Sequence, residues 1–306
     1  MSEQQRISVE NKQLEITSYG LFWKADVEKP IANVVIMTGM EEALYRYDDF
    51  AKFLNKEGFN VYGVDAFGQG ENVLPDGSNR GIWPASGFRK QVQMVDTLVK
   101  KIRVTSLPCY IFSHSMGSFM CQDFIQRFTQ DVDKVVICGS NNNNIPAKLG
   151  YALSKLVVHK KNREKKAGFL NKLMFGNFNK GIKNPRTPYD WLSYNEENVD
   201  KYIADPNCGF GPNNGFCLEF MKGMKRLWKK KFLNKIRKDM SIFLISGAED
   251  PVSSFGKGVS VLEKQYKKLK IQNVSSKIYP NMRHEILNEL DHQIVYDDIV
   301  KFYKGE

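Results

Sequence analysis

The 306-residue sequence predicts an α/β fold, a mostly parallel, doubly wound sheet interrupted by one helical insertion. Three observations point to it: short β-branched apolar runs ending in turn residues recur along the chain, segments with helical spacing separate them, and the alternation lapses once, between residues 141 and 221. A strand covered by helices on both faces must be apolar at nearly every position, whereas a half-exposed strand alternates. Alternating strand and helix in turn favour parallel pairing with crossover connections.

The elements follow in order. NVVIMTG (33–39) is the first strand of this kind, and Tyr47, Phe50, Phe53 and Leu54 then trace one face of a helix. FNVYGVD (59–65) is the second, followed by a helix carrying Val92, Val95, Leu98, Val99 and Ile102. CYIFSHS (109–115) leads into Phe119, Phe124, Ile125 and Phe128, and KVVICGS (134–140) closes the first block. From NNNNIPAKLG to about Met221 no such strand occurs, which predicts a helical insertion over 141–221 within a core made of 1–140 and 222–306. SIFLISG (241–247), a helix near 255–270, SSKIYPN (275–281) and a last helix near 288–303 complete the core.

Composition places the chain among globular proteins, with 42% hydrophobic and 26% charged residues. No run of 18 apolar residues occurs, and the first thirty residues lack the basic start and apolar stretch of a signal peptide. Five cysteines, odd in number and without CxxC or Cys/His metal spacing, argue against a disulfide framework and against zinc, so a cytoplasmic setting is expected. The formal charge of +11 is concentrated, with ten Lys/Arg against one Glu in 148–183 and nine Lys/Arg without an acid in 221–238. Two readings stand: an anionic partner such as a phospholipid surface, or solvated faces. Nucleic acid is not expected, because charge alone would argue for it. In MKGMKRLWKKKFLNKIRK, Met221, Met224, Trp228, Phe232 and Ile236 share one helical face, and packing that face on the sheet is preferred to laying it on a membrane.

Within YIFSHSMGSFM (110–120), Ser115 stands between a strand and a helix, with Ser113 and Gly117 two residues to either side. A nucleophilic serine at such an elbow needs small flanking residues, because strand and helix converge there. It also needs a base and a carboxylate that orients the base. Of four histidines, His114 adjoins the serine and would point away from it, His159 lies among lysines, and His292 falls on the last helix as a surface or capping residue. His284, just after the last strand, is the candidate base. SGAEDPV after the preceding strand offers Glu249 and Asp250, and Pro251 favours Asp250 by fixing a turn. For the oxyanion, the backbone N–H of Met116 and that of Met40, after Gly39, are the candidate donors.

Taken together, TGMEEALYRYDDFAKFLNKEGFNVYGVDAFGQGEN, SHSMGS, SGAEDPV and MRHEILNE resemble the motifs of α/β-hydrolase serine hydrolases, in particular the monoacylglycerol lipase and lysophospholipase family. The first stretch is similar to that family's H-G-x-x-E-H-x-x-R-Y pattern followed by D-x-x-G-x-G, the second to its G-H-S-M-G-S elbow, and YDWLSYNEENVDKYIADPNCGF to a cap segment of bacterial members. The resemblance covers nearly the whole chain and implies an α/β-hydrolase fold with a helical cap over 141–221. It places nucleophile, acid and base on Ser115, Asp250 and His284, and the oxyanion donors on Met40 and Met116. Asp65, Gly68 and Gly70 take scaffold roles rather than a dinucleotide site. The implied reaction is hydrolysis of a carboxylic ester of a single-chain lipid, with no cofactor or metal and a peripheral contact with anionic membrane through the basic segments. The rivals are a short-chain carboxylesterase or acyltransferase on the same residues, and a non-catalytic binding module. Leu149, Leu153, Leu156, Phe169, Leu173, Met174, Phe175 and Phe178 either line an acyl passage or form the insertion's own core. Three departures from the family pattern stand out: Thr38, Ala43, and Ser113, whose hydroxymethyl enters a tight space and is expected to bear on rate.

Overall fold

The chain opens with a hairpin that near-continuous apolarity does not reveal. β1 (Gln5–Asn11) and β2 (Ile16–Trp23) pair antiparallel, from Gln5 opposite Phe22 to Asn11 opposite Ile16. RISVEN alternates polar and apolar residues, as a strand with one wet face must, and in ITSYGLFW Thr17 and Tyr19 are exposed while Ser18 and Gly20 are buried. The computed structural model describes residues 4–142, 144–176 and 178–306. The six apolar runs become β3 (Ala32–Met37), β4 (Phe59–Val64), β5 (Cys109–His114), β6 (Lys134–Cys138), β7 (Ser241–Gly247) and β8 (Asn273–Tyr279). The eight-stranded sheet has the order β1-β2-β4-β3-β5-β6-β7-β8, and every pair from β4 to β8 is parallel.

Helices α1 (Asp48–Lys56), α2 (Gly87–Ile102) and α3 (Met116–Arg127) follow β3, β4 and β5. In α1, Phe50, Ala51 and Leu54 are buried on one stripe, while Asp48 and Asp49 in the first turn and Lys56 in the last suit the helix dipole. Between β6 and β7 lie α4 (Asn144–Val157), α5 (Gly168–Phe175), α6 (Glu196–Ala204), α7 (Asn214–Leu227) and the short α8 (Lys230–Leu233). The chain rejoins the core layer at α7, which packs on α2 and α3. α9 (Lys257–Lys268) and α10 (Gln293–Lys304) complete the two helical layers.

The central strands show why both faces had to be apolar. Val35, Ile111, Val135, Ile137, Ile242 and Leu244 join Val92, Val95, Phe124 and Leu262 of α2, α3 and α9 in one core. Their neighbours Val34, Ile36, Phe112, Val136 and Ile245 join Phe50, Leu54, Val295 and Ile299 of α1 and α10 in the other. The basic stretch 221–238 does not form one continuous helix, because α7 ends at Leu227 and α8 begins at Lys230. Met224, Trp228 and Ile236 are nevertheless buried in the first core, Trp228 Nε1 donates to Gln122 Oε1 at 3.1 Å, and Lys222, Lys229, Lys230, Lys231 and Lys235 face solvent.

Candidate active site

The strand order reverses between β3 and β5, which lie side by side while their onward connections diverge to β4 and β6. A crevice opens beyond the carboxyl ends of such strands. Gly39 and Met40 follow β3 into it, and Ser115 follows β5.

Ser115 is the single residue between β5 and α3, at φ 51 and ψ −119. A non-glycine residue at positive φ is strained and persists only where its surroundings hold it. Its N–H donates to the Cys138 carbonyl at 3.0 Å. Gly117 is required here, since a Cβ would come within 2.1 Å of the Met37 carbonyl oxygen. At Ser113 the hydroxyl fits: it is fully buried and donates to the Val136 carbonyl at 2.8 Å. The first residue of α3 is Met116, whose N–H stands at a helix N-terminus and has no partner within the helix.

His284 Nδ1 lies 2.8 Å from Oδ1 of the fully buried Asp250, and the Val252 N–H donates to the same oxygen at 2.8 Å. Glu249 is exposed and instead accepts from the Tyr194 hydroxyl. Gly139, at φ 61, makes room for the imidazole, for a Cβ there would sit 3.0 Å from His284 Cε1. Trp191 packs on the imidazole with ring centroids 5.1 Å apart. Ser115, His284, Met40 and Met116 all line one cavity of about 570 Å³, with Phe119, Phe178, Tyr189, Trp191, Leu192, Phe220 and Val252 among its walls.

Of the other histidines, His159 is exposed and His292 caps α10, its Nδ1 2.7 Å from the Glu289 carbonyl. Asp65 is fully buried and accepts from the N–H groups of Leu44 and Glu71 at 2.9 and 3.0 Å, while Gly68 and Gly70 take φ values of 65 and 44. These contacts fold the loops around the crevice. Among the apolar residues singled out in the insertion, Phe178 lines the cavity and packs at a tilt against Trp191, with ring centroids 4.7 Å apart. Leu153 packs on the core, and Leu149, Leu156, Phe169 and Leu173 face solvent. The side chains of Met174 and Phe175 lie outside the described residues.

Sequence reasoning missed a buried ionic network beneath the two loops. Glu42 Oε1 accepts from the Gly39 N–H and from the Tyr47 hydroxyl, and lies 3.4 Å from His114 Nδ1. Arg46 donates to Glu42 Oε2 at 2.9 Å and grips both oxygens of Glu285 at 2.7 Å. Asn198 of α6 also donates to Glu285, at 2.7 Å, and His114 Nε2 donates to the His284 carbonyl at 3.2 Å. The network therefore joins the Gly39 loop to the His284 loop. Burial alone would push Glu42 and Glu285 up; the His114 hydrogen bond and charge, then Arg46, bring Glu42 below the usual carboxylate value, and Arg46 brings Glu285 to about 2. Burial lowers His114, but the Glu42 hydrogen bond and charge carry it above the usual 6.5. The signal was present: Glu42 and Arg46 fall on the acidic and arginine positions of the pattern the sequence resembles. Glu41 and Gln69 were likewise passed over. Gln69 Nε2 donates to the Gly39 and Glu42 carbonyls at 3.1 and 3.0 Å, and its Oε1 accepts from the Glu41 N–H. Burial, partly offset by the Gly211 N–H and the Lys166 charge, pushes the Glu41 carboxyl up to about 7.

Comparison with known proteins gives this arrangement its context. Residues 28–291 match the family described as serine aminopeptidase, S33. Phospholipase YtpA of Bacillus subtilis (strain 168) is 30% identical over 105 residues, 34% of this chain, and the match spans 38% of that relative's length. A thermostable carboxyl esterase from Bacillus coagulans superposes with a TM-score of 0.89 at 25% identity, covering 100% of this chain and 99% of that one. A monoglyceride lipase from Saccharomyces cerevisiae superposes at 0.73 and 15% identity, over 99% and 95% of the two chains, and shares the α/β-hydrolase fold.

Proposed function

The chain belongs to the serine aminopeptidase S33 family of hydrolases, and from that premise we propose that it cleaves carboxylic esters of single-chain lipids, a monoacylglycerol or a lysophospholipid, through an acyl-enzyme on Ser115. The observation that carries this reading is the His284–Asp250 pair, whose imidazole faces with Ser115 a cavity walled largely by apolar side chains. Asp250 accepts from Nδ1, so the lone pair of His284 rests on Nε2, where it serves as general base. His284 takes the Ser115 proton as Oγ attacks the ester carbonyl, and then delivers it to the departing alcohol. Water, deprotonated by the same imidazole, next attacks the acyl-enzyme and releases the fatty acid. The N–H groups of Met40 and Met116 hold the oxyanion in both steps, and removing one such donor typically costs about 2.7–4 kcal/mol.

The substrate class is inferred from the aromatic and aliphatic walls and from the esterase and phospholipase relatives. Segment 141–221 acts as the cap that admits the acyl chain, with Phe178, Tyr189, Trp191, Leu192 and Phe220 among its contributions to the wall. The exposed Leu149, Leu156, Phe169 and Leu173 lie within the lysine-rich stretch and would rest against an anionic lipid surface. Monoacylglycerols of increasing chain length test the reading. kcat/KM is expected to rise at least about tenfold from acetyl to decanoyl, and the protein to sediment with anionic but not zwitterionic vesicles; a flat or falling series contradicts the lipid assignment.

A further inference from the structure

Glu41 follows Met40 in the cavity wall, and three of its properties are unusual together. Its backbone is left-handed, at φ 58, a conformation that suits glycine and strains a glutamate. Its side chain belongs to a residue only 7% exposed. Its Oε1 meets no hydrogen-bond partner among the described residues, the Gly211 N–H acting on the carboxyl from outside hydrogen-bond geometry. An orphaned buried oxygen costs folding free energy, so a strained glutamate kept at this point implies a partner that arrives with the ligand.

We propose that Glu41 forms a subsite for a free hydroxyl on the alcohol portion of the ester substrate. The inference rests on the ester-hydrolase reading above. Oε1 is an acceptor in want of a donor, and in an ester of a simple fatty acid the acyl chain carries none, so the group it reads must belong to the alcohol. The surroundings favour a neutral donor over a cation. Lys166 already stands by: its ammonium donates to the Phe210 and Gly211 carbonyls at 2.7 and 2.9 Å and acts on the Glu41 charge. The Glu41 carbonyl accepts from the Gly209 N–H at 3.2 Å, which seats the residue against the same loop of the wall. A quaternary ammonium head group has no hydrogen to donate and would leave Oε1 unsatisfied.

The test compares 1-decanoylglycerol with methyl decanoate, which share an acyl chain and differ in the alcohol, on wild type, Glu41→Gly and Glu41→Gln. Glycine suits the left-handed backbone, so Glu41→Gly removes the carboxyl without a folding penalty. The expected result is that the ratio of kcat/KM for the glycerol ester to that for the methyl ester falls about tenfold in Glu41→Gly. In Glu41→Gln, which retains an acceptor oxygen, the ratio should stay within about threefold of wild type. An unchanged ratio in Glu41→Gly, with both esters still cleaved, overturns the subsite and leaves ester hydrolysis standing. A fall seen only with the decanoyl ester of 2-(dimethylamino)ethanol overturns the hydroxyl assignment in favour of a cation. Failure of the wild type to cleave either ester overturns the ester-hydrolase reading and the subsite with it.

Discussion

At Ser115 one residue makes the whole transition from strand to helix, and its positive φ is possible because the positions around it are small or accommodated. Gly117 has no freedom, since the atom that a Cβ would strike is a backbone carbonyl and cannot rotate away. Gly117→Ala should therefore lower stability by at least about 2 kcal/mol, read as a reduced urea midpoint, and should slow acylation; an alanine tolerated without either effect would contradict the elbow geometry. Ser113 shows where sequence reasoning stopped short. The sequence gives its extra atoms but not the Val136 carbonyl that receives its hydroxyl, so what looked like crowding is a satisfied hydrogen bond. The pairing of His284 with Asp250 rather than with Glu249 was legible, because Pro251 fixes the turn that carries the carboxylate inward.

Between elements, the loops after β3 and β8 are held by charges buried beneath them. Glu42 fixes the Gly39 N–H, Arg46 bridges to Glu285, and Glu285 adjoins His284. Breaking a buried pair typically costs about 3–5 kcal/mol, and loosening an oxyanion loop acts on the transition state. Glu42→Gln should lower kcat at least about tenfold with little change in KM, and should reduce stability. The stability gap has a pH signature. Glu42 titrates below its usual 4.5 in the fold, so its contribution is present above about 4.5 and lost in acid; His114 titrates above 6.5, so its share is present below about 6.5 and lost as pH rises through the folded value. The gap between wild type and variant should thus be widest between about pH 4.5 and 6.5, and melts giving a gap independent of pH would refute the Glu42–His114 coupling. The five strands β3 to β7 could be read from sequence because burial on both faces leaves an unmistakable apolar run, whereas β8, at the sheet edge, is half exposed and was marked mainly by the Tyr279 turn that ends it. The hairpin of β1 and β2 escaped because one of its faces is wet. The ionic network escaped for another reason: its members are brought together from residues as far apart as Arg46 and Glu285, and charge gives no periodic signal.

For the molecule as a whole, the sheet order brings the candidate groups to one place. The reversal between β3 and β5 brings the Gly39 loop to Ser115, while β7 and β8 deliver Asp250 and His284 to the same end of the sheet. The helical segment after β6 then closes over that end, with Trp191 against His284 and Asn198 in the ionic network. Legible from sequence were the fold and the loops that carry the candidate groups; which insertion residues would reach the cavity was not, since Leu149 and Phe169 are as apolar as Phe178 yet face outward. The central claim is that Ser115 is an activated nucleophile. Treatment with a fluorophosphonate, followed by peptide mass spectrometry, tests it directly. The account predicts stoichiometric phosphonylation on Ser115, absent in Ser115→Ala and strongly slowed in His284→Ala; a wild-type protein left unlabelled, or labelled at another serine, would contradict it.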